Sequence, residues 1–242
     1  MRLQVVNPNT TASMTATIAA AARSVAAPGT EIVAVTSPHG PVSIESHYDE
    51  AMAVPGLLAA LDPAADAHVI ACFGDPGLDA AREVARGPVV GIAEAAMRTA
   101  LYLGRGFSVV TTLARTAGRA EELAQRYGAA HACRRVRACE VPVLGLEDPA
   151  ARAAILGECR AAVTEDGADV IVLGCAGMAD LCAALTAELG VPVLDGVAAA
   201  TRAAESLVAL GVTTSRRSEY APPPPKPGGF PGERRAQYTD SW

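Results

Sequence analysis

Two cysteines in this sequence occupy matching surroundings. Cys72 sits in the run Val69-Ile70-Ala71-Cys72-Phe73-Gly74, and Cys175 in Val170-Ile171-Val172-Leu173-Gly174-Cys175-Ala176-Gly177-Met178. Each follows an apolar run of the kind that forms a strand covered on both faces. Each also has small residues beside the sulfur, and an aspartate, Asp66 or Asp169, six positions earlier. A thiol at a strand-to-helix turn is a candidate base, because a helix N-terminus can draw its pKa down from about 8.5. Two thiols delivered by equivalent turns suit one reaction in particular: taking a proton from one face of a carbon and returning one to the other. The competing reading treats a buried cysteine as a small hydrophobe. That reading is kept for Cys133, Cys139, Cys159 and Cys182, which share no repeated environment.

The elements that would position the two thiols read as an alternation of strands and helices. Leu3–Val6 predicts a strand ending at Asn7-Pro8-Asn9-Thr10, and Thr10 or Thr11 can cap a helix from Ser13 to about Val25. Glu31–Thr36 follows as a strand, then a loop with His39 and Ser43-Ile44-Glu45, then a helical stretch from Tyr48 to Leu61 interrupted at Pro55-Gly56. His39 and His47 read as solvated loop residues. The first cysteine strand, His68–Cys72, leads to a helix from Leu78 to Ala85, a strand Pro88–Ile92 and a helix Glu94–Leu103. The pattern then restarts. Phe107–Val110 with Thr111-Thr112 stands where Val5-Val6-Asn7 stood, followed by a helix Thr116–Tyr127, a strand Val136–Val143 and a helix Pro149–Glu165. The second cysteine strand, Val170–Cys175, precedes a helix Met178–Leu189, and Pro192-Val193-Leu194-Asp195-Gly196 repeats Pro88-Val89-Val90-Gly91-Ile92.

The fold class implied is α/β: two similar parallel-sheet domains related by a pseudo-two-fold axis, with the site in the cleft between them. The first would take residues 1–103 plus about 198–214, and the second 104–197. Residues 215–242 form a proline-rich arm with Pro222–Pro225 and Gly228-Gly229. Its first part, Tyr220–Pro227, suits a strap over a neighbouring subunit, and disorder is expected beyond Gly229. Arg216-Arg217 reads as a solvated pair.

Composition excludes several classes. Half of the 242 residues are hydrophobic and 4% aromatic, so Ala, Val, Leu and Ile must build the cores. Twenty basic against 26 acidic residues, a net charge of −6, argue against a nucleic-acid partner. The sequence reads as having no membrane span and no signal peptide, which predicts a cytoplasmic protein with reduced cysteines. The cysteines lack C-x-x-C spacing and no phosphate-cradling motif occurs, so neither metal nor organic cofactor is expected.

Taken together, Asn7-Pro8-Asn9-Thr10, Gly40-Pro41-Val42-Ser43-Ile44-Glu45, Ala71-Cys72-Phe73-Gly74-Asp75-Pro76-Gly77-Leu78, Pro88-Val89-Val90-Gly91, Leu173-Gly174-Cys175-Ala176-Gly177-Met178 and Val191-Pro192-Val193-Leu194-Asp195 resemble the hydantoin racemases of the aspartate/glutamate racemase superfamily, with allantoin racemases close by. The resemblance runs to about Thr214. It implies a cofactor-independent, homo-oligomeric racemase of 5-monosubstituted hydantoins, with Cys72 and Cys175 as the two bases and allantoin as the alternative substrate. Ser43 and Ile44 would border the pocket. Backbone N–H groups around Gly174, Ala176 and Gly177 would hold the enolate charge, with Asn7, Thr111 or Thr112 at the strand ends. Asn9 and Phe73 complete the substrate-binding set. Asn7 and Asn9 read equally well as an Asx-turn and a helix cap, and Asp75 and Asp195 as turn or cap residues. A two-lobed small-molecule binding protein with inert cysteines is the non-enzyme alternative. It predicts no solvent deuterium exchange at a substrate carbon, and racemisation predicts it.

Overall fold

A computed structural model of the chain describes residues 1–146 and 148–224. Two four-stranded parallel sheets form its frame. The first has strands β1 (Arg2–Asn7), β2 (Glu31–Thr36), β3 (Ala67–Ile70) and β4 (Val89–Gly91) in the order β2-β1-β3-β4. The second has β5 (Phe107–Thr111), β6 (Cys133–Ala138), β7 (Val170–Leu173) and β8 (Val193–Asp195) in the order β6-β5-β7-β8. In each sheet the chain winds outward in one direction, then returns to the other side of its first strand. That reversal leaves a crevice at the carboxyl ends of the two central strands. Cys72 follows β3 and Cys175 follows β7, so both thiols stand at such a crevice. The α/β class with two like parallel sheets matches the expectation from the repeated pattern.

The paired aspartates have a structural task. Asp66 accepts the backbone N–H of Arg2 at 2.7 Å, and Asp169 accepts those of Arg105 and Gly106, each at 3.0 Å. Each ties the start of a central strand to the residue before its cysteine strand.

The helices are α1 (Ala12–Val25), α2 (His47–Ala60), α3 (Leu78–Val84), α4 (Ile92–Leu103), α5 (Ala117–Arg126), α6 (Pro149–Thr164), α7 (Cys182–Leu189) and α8 (Gly196–Ala209). Two of them cross over. α4 packs on β7 and α5, while α8 packs on α4, α1 and β3. Their starts touch: a Cβ added to Gly196 would lie 2.7 Å from the carbonyl oxygen of Ile92. One hydrophobic core therefore runs through both sheets, from Leu3, Val5 and Val69 to Phe107, Val109, Val170 and Val172. A second cluster of Val110, Ile155, Cys159, Ile171, Leu173 and Met178 fills the outer face of the second sheet. Cys159 is thus the small hydrophobe expected of it.

Three local expectations need correction. α2 runs unbroken through Pro55 and Gly56. The glycine serves packing instead, since a Cβ there would stand 2.0 Å from the His39 carbonyl oxygen. β6 ends at Ala138, and Val143 lies in a short 3-10 turn. The strand pairs Phe107 with Cys133, and Glu140, at a φ of 55°, turns the chain away from the sheet. The helix expected at Met178 begins as a 3-10 turn, Ala176–Leu181, before α7.

The arm is described as far as Pro224, so most of its expected strap and disordered segment lies outside the described residues. Its first part docks on its own chain. The Tyr220 hydroxyl donates to Asp79 at 3.0 Å, and Arg216 donates to the carbonyls of Arg82, Glu83, Ala85 and Arg86. Arg216 is therefore a cap on the C-terminal end of α3 and not half of a solvated pair.

Candidate active site

A cavity of about 160 Å³ opens between the carboxyl ends of the two sheets. Cys72 and Cys175 both line it. Seven other expected residues share its wall: Asn9, Ile44, Phe73, Thr111, Thr112, Gly174 and Ala176. Asn7, Ser43 and Gly177 do not line it. Asn7 is fully buried and organises the turn behind the wall. Its amide donates to Asn9 Oδ1 at 2.8 Å and Thr15 Oγ1 at 3.0 Å, while its Oδ1 accepts from the Asn9 N–H at 3.2 Å. Asn9 in turn accepts the Thr11 N–H at 2.9 Å. The Asx-turn reading therefore holds for Asn7, whereas Asn9 both turns the chain and faces the cavity.

Other wall residues escaped the sequence. His47, read as a solvated loop residue, begins α2 and lines the cavity with Glu50 one turn on. Met14, Ser46, Arg115, Arg119 and Val143 join them. The ionic centre of this rim is a pair from different sheets: Arg119 on α5 places Nε 3.3 Å from Glu50 Oε2 and donates through Nη2 to the Gly74 carbonyl at 3.0 Å. Glu50 sits above its ordinary carboxylate range because burial outweighs the attraction of Arg119. Glu45, beside the expected Ile44, reaches across to accept the Val143 N–H at 2.7 Å. The hydrophobic and helical periods that reveal a strand or helix carry no record of such contacts, which pair residues far apart in the chain.

The electrostatics of the thiols run opposite to the sequence expectation. Burial pushes Cys175 up to about 11, and raises Cys72 further still. Neighbouring Cys175 adds to the rise at Cys72, with smaller contributions from Glu50 and Asp75. The backbone N–H of Gly74 pulls Cys72 down, and that of Gly177 pulls Cys175 down. The glycine two places after each cysteine is thus a shared device. No α-helix begins at either cysteine, since α3 starts at Leu78 and α7 at Cys182, and the 3-10 turn that starts after Cys175 and carries the Gly177 N–H does not reverse the effect of burial. Asp195 caps α8, as expected. Asp75, fully enclosed, caps α4 and accepts the Tyr127 hydroxyl.

This frame is that of a two-domain α/β enzyme whose sheets converge on one small-molecule cavity. The chain belongs to the Asp/Glu/hydantoin racemase family, whose model matches residues 3–204. It is 49% identical over 229 residues to a hydantoin racemase from Rhizobium meliloti, covering 92% of this chain and 95% of that one. An allantoin racemase from Klebsiella pneumoniae superposes with a TM-score of 0.92 at 51% identity, covering 96% of this chain and 97% of the other. Allantoin racemase from Pseudomonas fluorescens gives a TM-score of 0.90 at 46% identity, covering 93% and 98%. The protein is accordingly an isomerase of the racemase class.

Proposed function

We propose that this racemase inverts the ring carbon C5 of 5-monosubstituted hydantoins by a two-base mechanism. The observation that carries the reading is the meeting of Cys72 and Cys175, one from each sheet, on a single cavity. The volume is close to the roughly 150 Å³ that encloses a benzene molecule, and so suits one small ring with its substituent toward the rim. One cysteine, as thiolate, takes the C5 hydrogen, and the electron pair left behind spreads onto the adjacent ring carbonyl. The other, as thiol, delivers its proton to the opposite face, and the two exchange roles for the reverse reaction. Electrostatics favours a single negative charge on the pair, since a thiolate at Cys175 opposes ionisation of Cys72. Thr111, Thr112, Asn9 and the backbone around Gly174 and Ala176 would stabilise the enolate, with Ile44 and Phe73 as apolar wall.

Allantoin is the second reading, favoured by the polar rim of Ser46, His47, Glu50, Arg115 and Arg119, which suits a ureido substituent. We further read the enzyme as cofactor-independent, homo-oligomeric and cytoplasmic. The test incubates single enantiomers of several 5-substituted hydantoins, and of allantoin, with the enzyme in D2O. Loss of optical rotation together with deuterium at C5 is expected, fastest for the native class. Binding without exchange for any substrate would leave only the binding-protein alternative.

A further inference from the structure

The two sheets secure their cysteine turns differently. In the second, Asp195 at the end of β8 caps α8 directly, accepting the N–H groups of Val197 at 3.0 Å and Ala198 at 2.8 Å. The corresponding residue of the first is Gly91, where an added Cβ would lie 2.3 Å from the carboxyl carbon of Asp75. Asp75 occupies that space and takes over the cap, accepting from Ala93 at 3.1 Å and Glu94 at 2.9 Å. It belongs to the cysteine turn itself, since its own N–H donates to the Cys72 carbonyl at 3.0 Å. Its φ of 46° is a left-handed conformation that a non-glycine residue keeps only where its surroundings enforce it. The residue three places after Cys175 is instead the apolar, fully buried Met178.

What enforces the Asp75 conformation comes partly from the other sheet's helix. Tyr127, at the end of α5, donates its hydroxyl to Asp75 Oδ2 at 2.7 Å. Arg119, two turns earlier on α5, holds the neighbouring carbonyl of Gly74. One helix thus grips two consecutive residues of the Cys72 turn with polar bonds. Its counterpart α1 packs on the turn after Cys175 with apolar groups, Met14 lying against the cluster that holds Cys175 and Met178.

We propose that Tyr127, acting through Asp75, is a positioning residue for Cys72 and not for Cys175, so that the two proton transfers are set by separate supports. The inference rests on the reading of both cysteines as bases. In a Cys175→Ala background, deuterium uptake from D2O into a hydantoin or allantoin enantiomer reports on Cys72 alone. In a Cys72→Ala background it reports on Cys175 alone. Tyr127→Phe keeps the ring and removes the hydroxyl. It is expected to lower the exchange kcat about tenfold in the first background, as a misplaced base does, with KM unchanged, and less than twofold in the second. Equal losses in both backgrounds, or no loss in either, would overturn the proposal. Absence of exchange in the Cys175→Ala protein with Tyr127 intact would instead overturn the two-base reading first, and this inference with it.

A second variant separates positioning from capping. Asp75→Ala combined with Gly91→Asp empties the space at residue 91 and gives α4 the local cap used by α8 while deleting the link to Tyr127. Its thermal midpoint should stay nearer the native value than that of Asp75→Ala alone, yet exchange in the Cys175→Ala background should remain about tenfold low. Full recovery of exchange would reduce Asp75 to a helix cap and overturn the assignment.

Discussion

Glu50 and Arg119 join the two sheets at the rim of the cavity, Oε2 to Nε at 3.3 Å, with the side chains 19% and 26% exposed. Neither is free to lose its partner cheaply, because the survivor stays in a mostly enclosed place. Arg119→Ala is expected to cost about 2 kcal/mol, within the range for stranding a partly buried charge. Glu50→Ala combined with Arg119→Ala should cost less than the two single changes added together. Chemical denaturation of the four proteins measures this coupling, and strict additivity would remove it.

The raised thiols predict the pH dependence of catalysis. With Cys175 at about 11 and Cys72 higher, thiolate is scarce at neutral pH and grows about tenfold for each pH unit. The kcat/KM for racemisation should climb with near-unit slope from about pH 7 to 9. A flat profile across that window would mean that the working base is already ionised.

Asp75 carries the opposite kind of signal. Burial raises its carboxyl to about 6, despite bonds from Tyr127, Glu94 and Ala93 that pull it down. The folded value lies above the unfolded one of about 3.9, so the native state holds this proton more tightly. Its stabilising contribution is full below about pH 4 and is lost as pH rises through 6, by roughly 3 kcal/mol for a shift of about two units. Asp75→Asn cannot titrate. The stability difference between native protein and variant, from denaturant midpoints, should therefore change in favour of the variant between pH 4 and 7. A difference constant with pH would contradict the assignment.

The docked start of the arm predicts a modest effect on stability. Truncation after Thr214 deletes the Arg216 cap on α3 and the Tyr220 bond to Asp79. The expected cost is about 1–2 kcal/mol for a cap and a partly exposed hydrogen bond, with kcat for racemisation within about twofold of native. Calorimetry and polarimetry on the truncated chain measure both.

The sequence carried the frame because the frame is periodic. Apolar runs such as Val69–Ala71 and Val170–Leu173 announce covered strands, and their repetition announces two sheets. Thr111, Thr112, Gly174 and Ala176 could be assigned to the cavity from their places at strand ends, and Phe73 through the family resemblance. Arg119 and Glu50 on the rim, and Tyr127 behind the Cys72 turn, could not, because each owes its place to a partner on another sheet's elements. Thiol acidity escapes the sequence for a related reason: a turn beside a strand end suggests a helix dipole, but the depth of burial that raises both thiols is a property of the assembled halves. Gly56 illustrates a third limit. A Pro-Gly pair signals a break unless something must approach closely, and only the fold reveals the His39 carbonyl against it.

The crossing of α4 and α8 bears on how such a chain can be divided. α4 lies against β7, and α8 against β3 and α1. A fragment ending at Leu103 would strip β7 from α4, a helix that in the whole chain buries Ala96 and Met97 completely. No α8 would cover its sheet. Two copies of that fragment could lend each other the missing helix, α4 standing in for α8. The cut that looks natural in the sequence is therefore expected to give a piece that needs a second copy to cover its core, while the intact chain should unfold in one cooperative step.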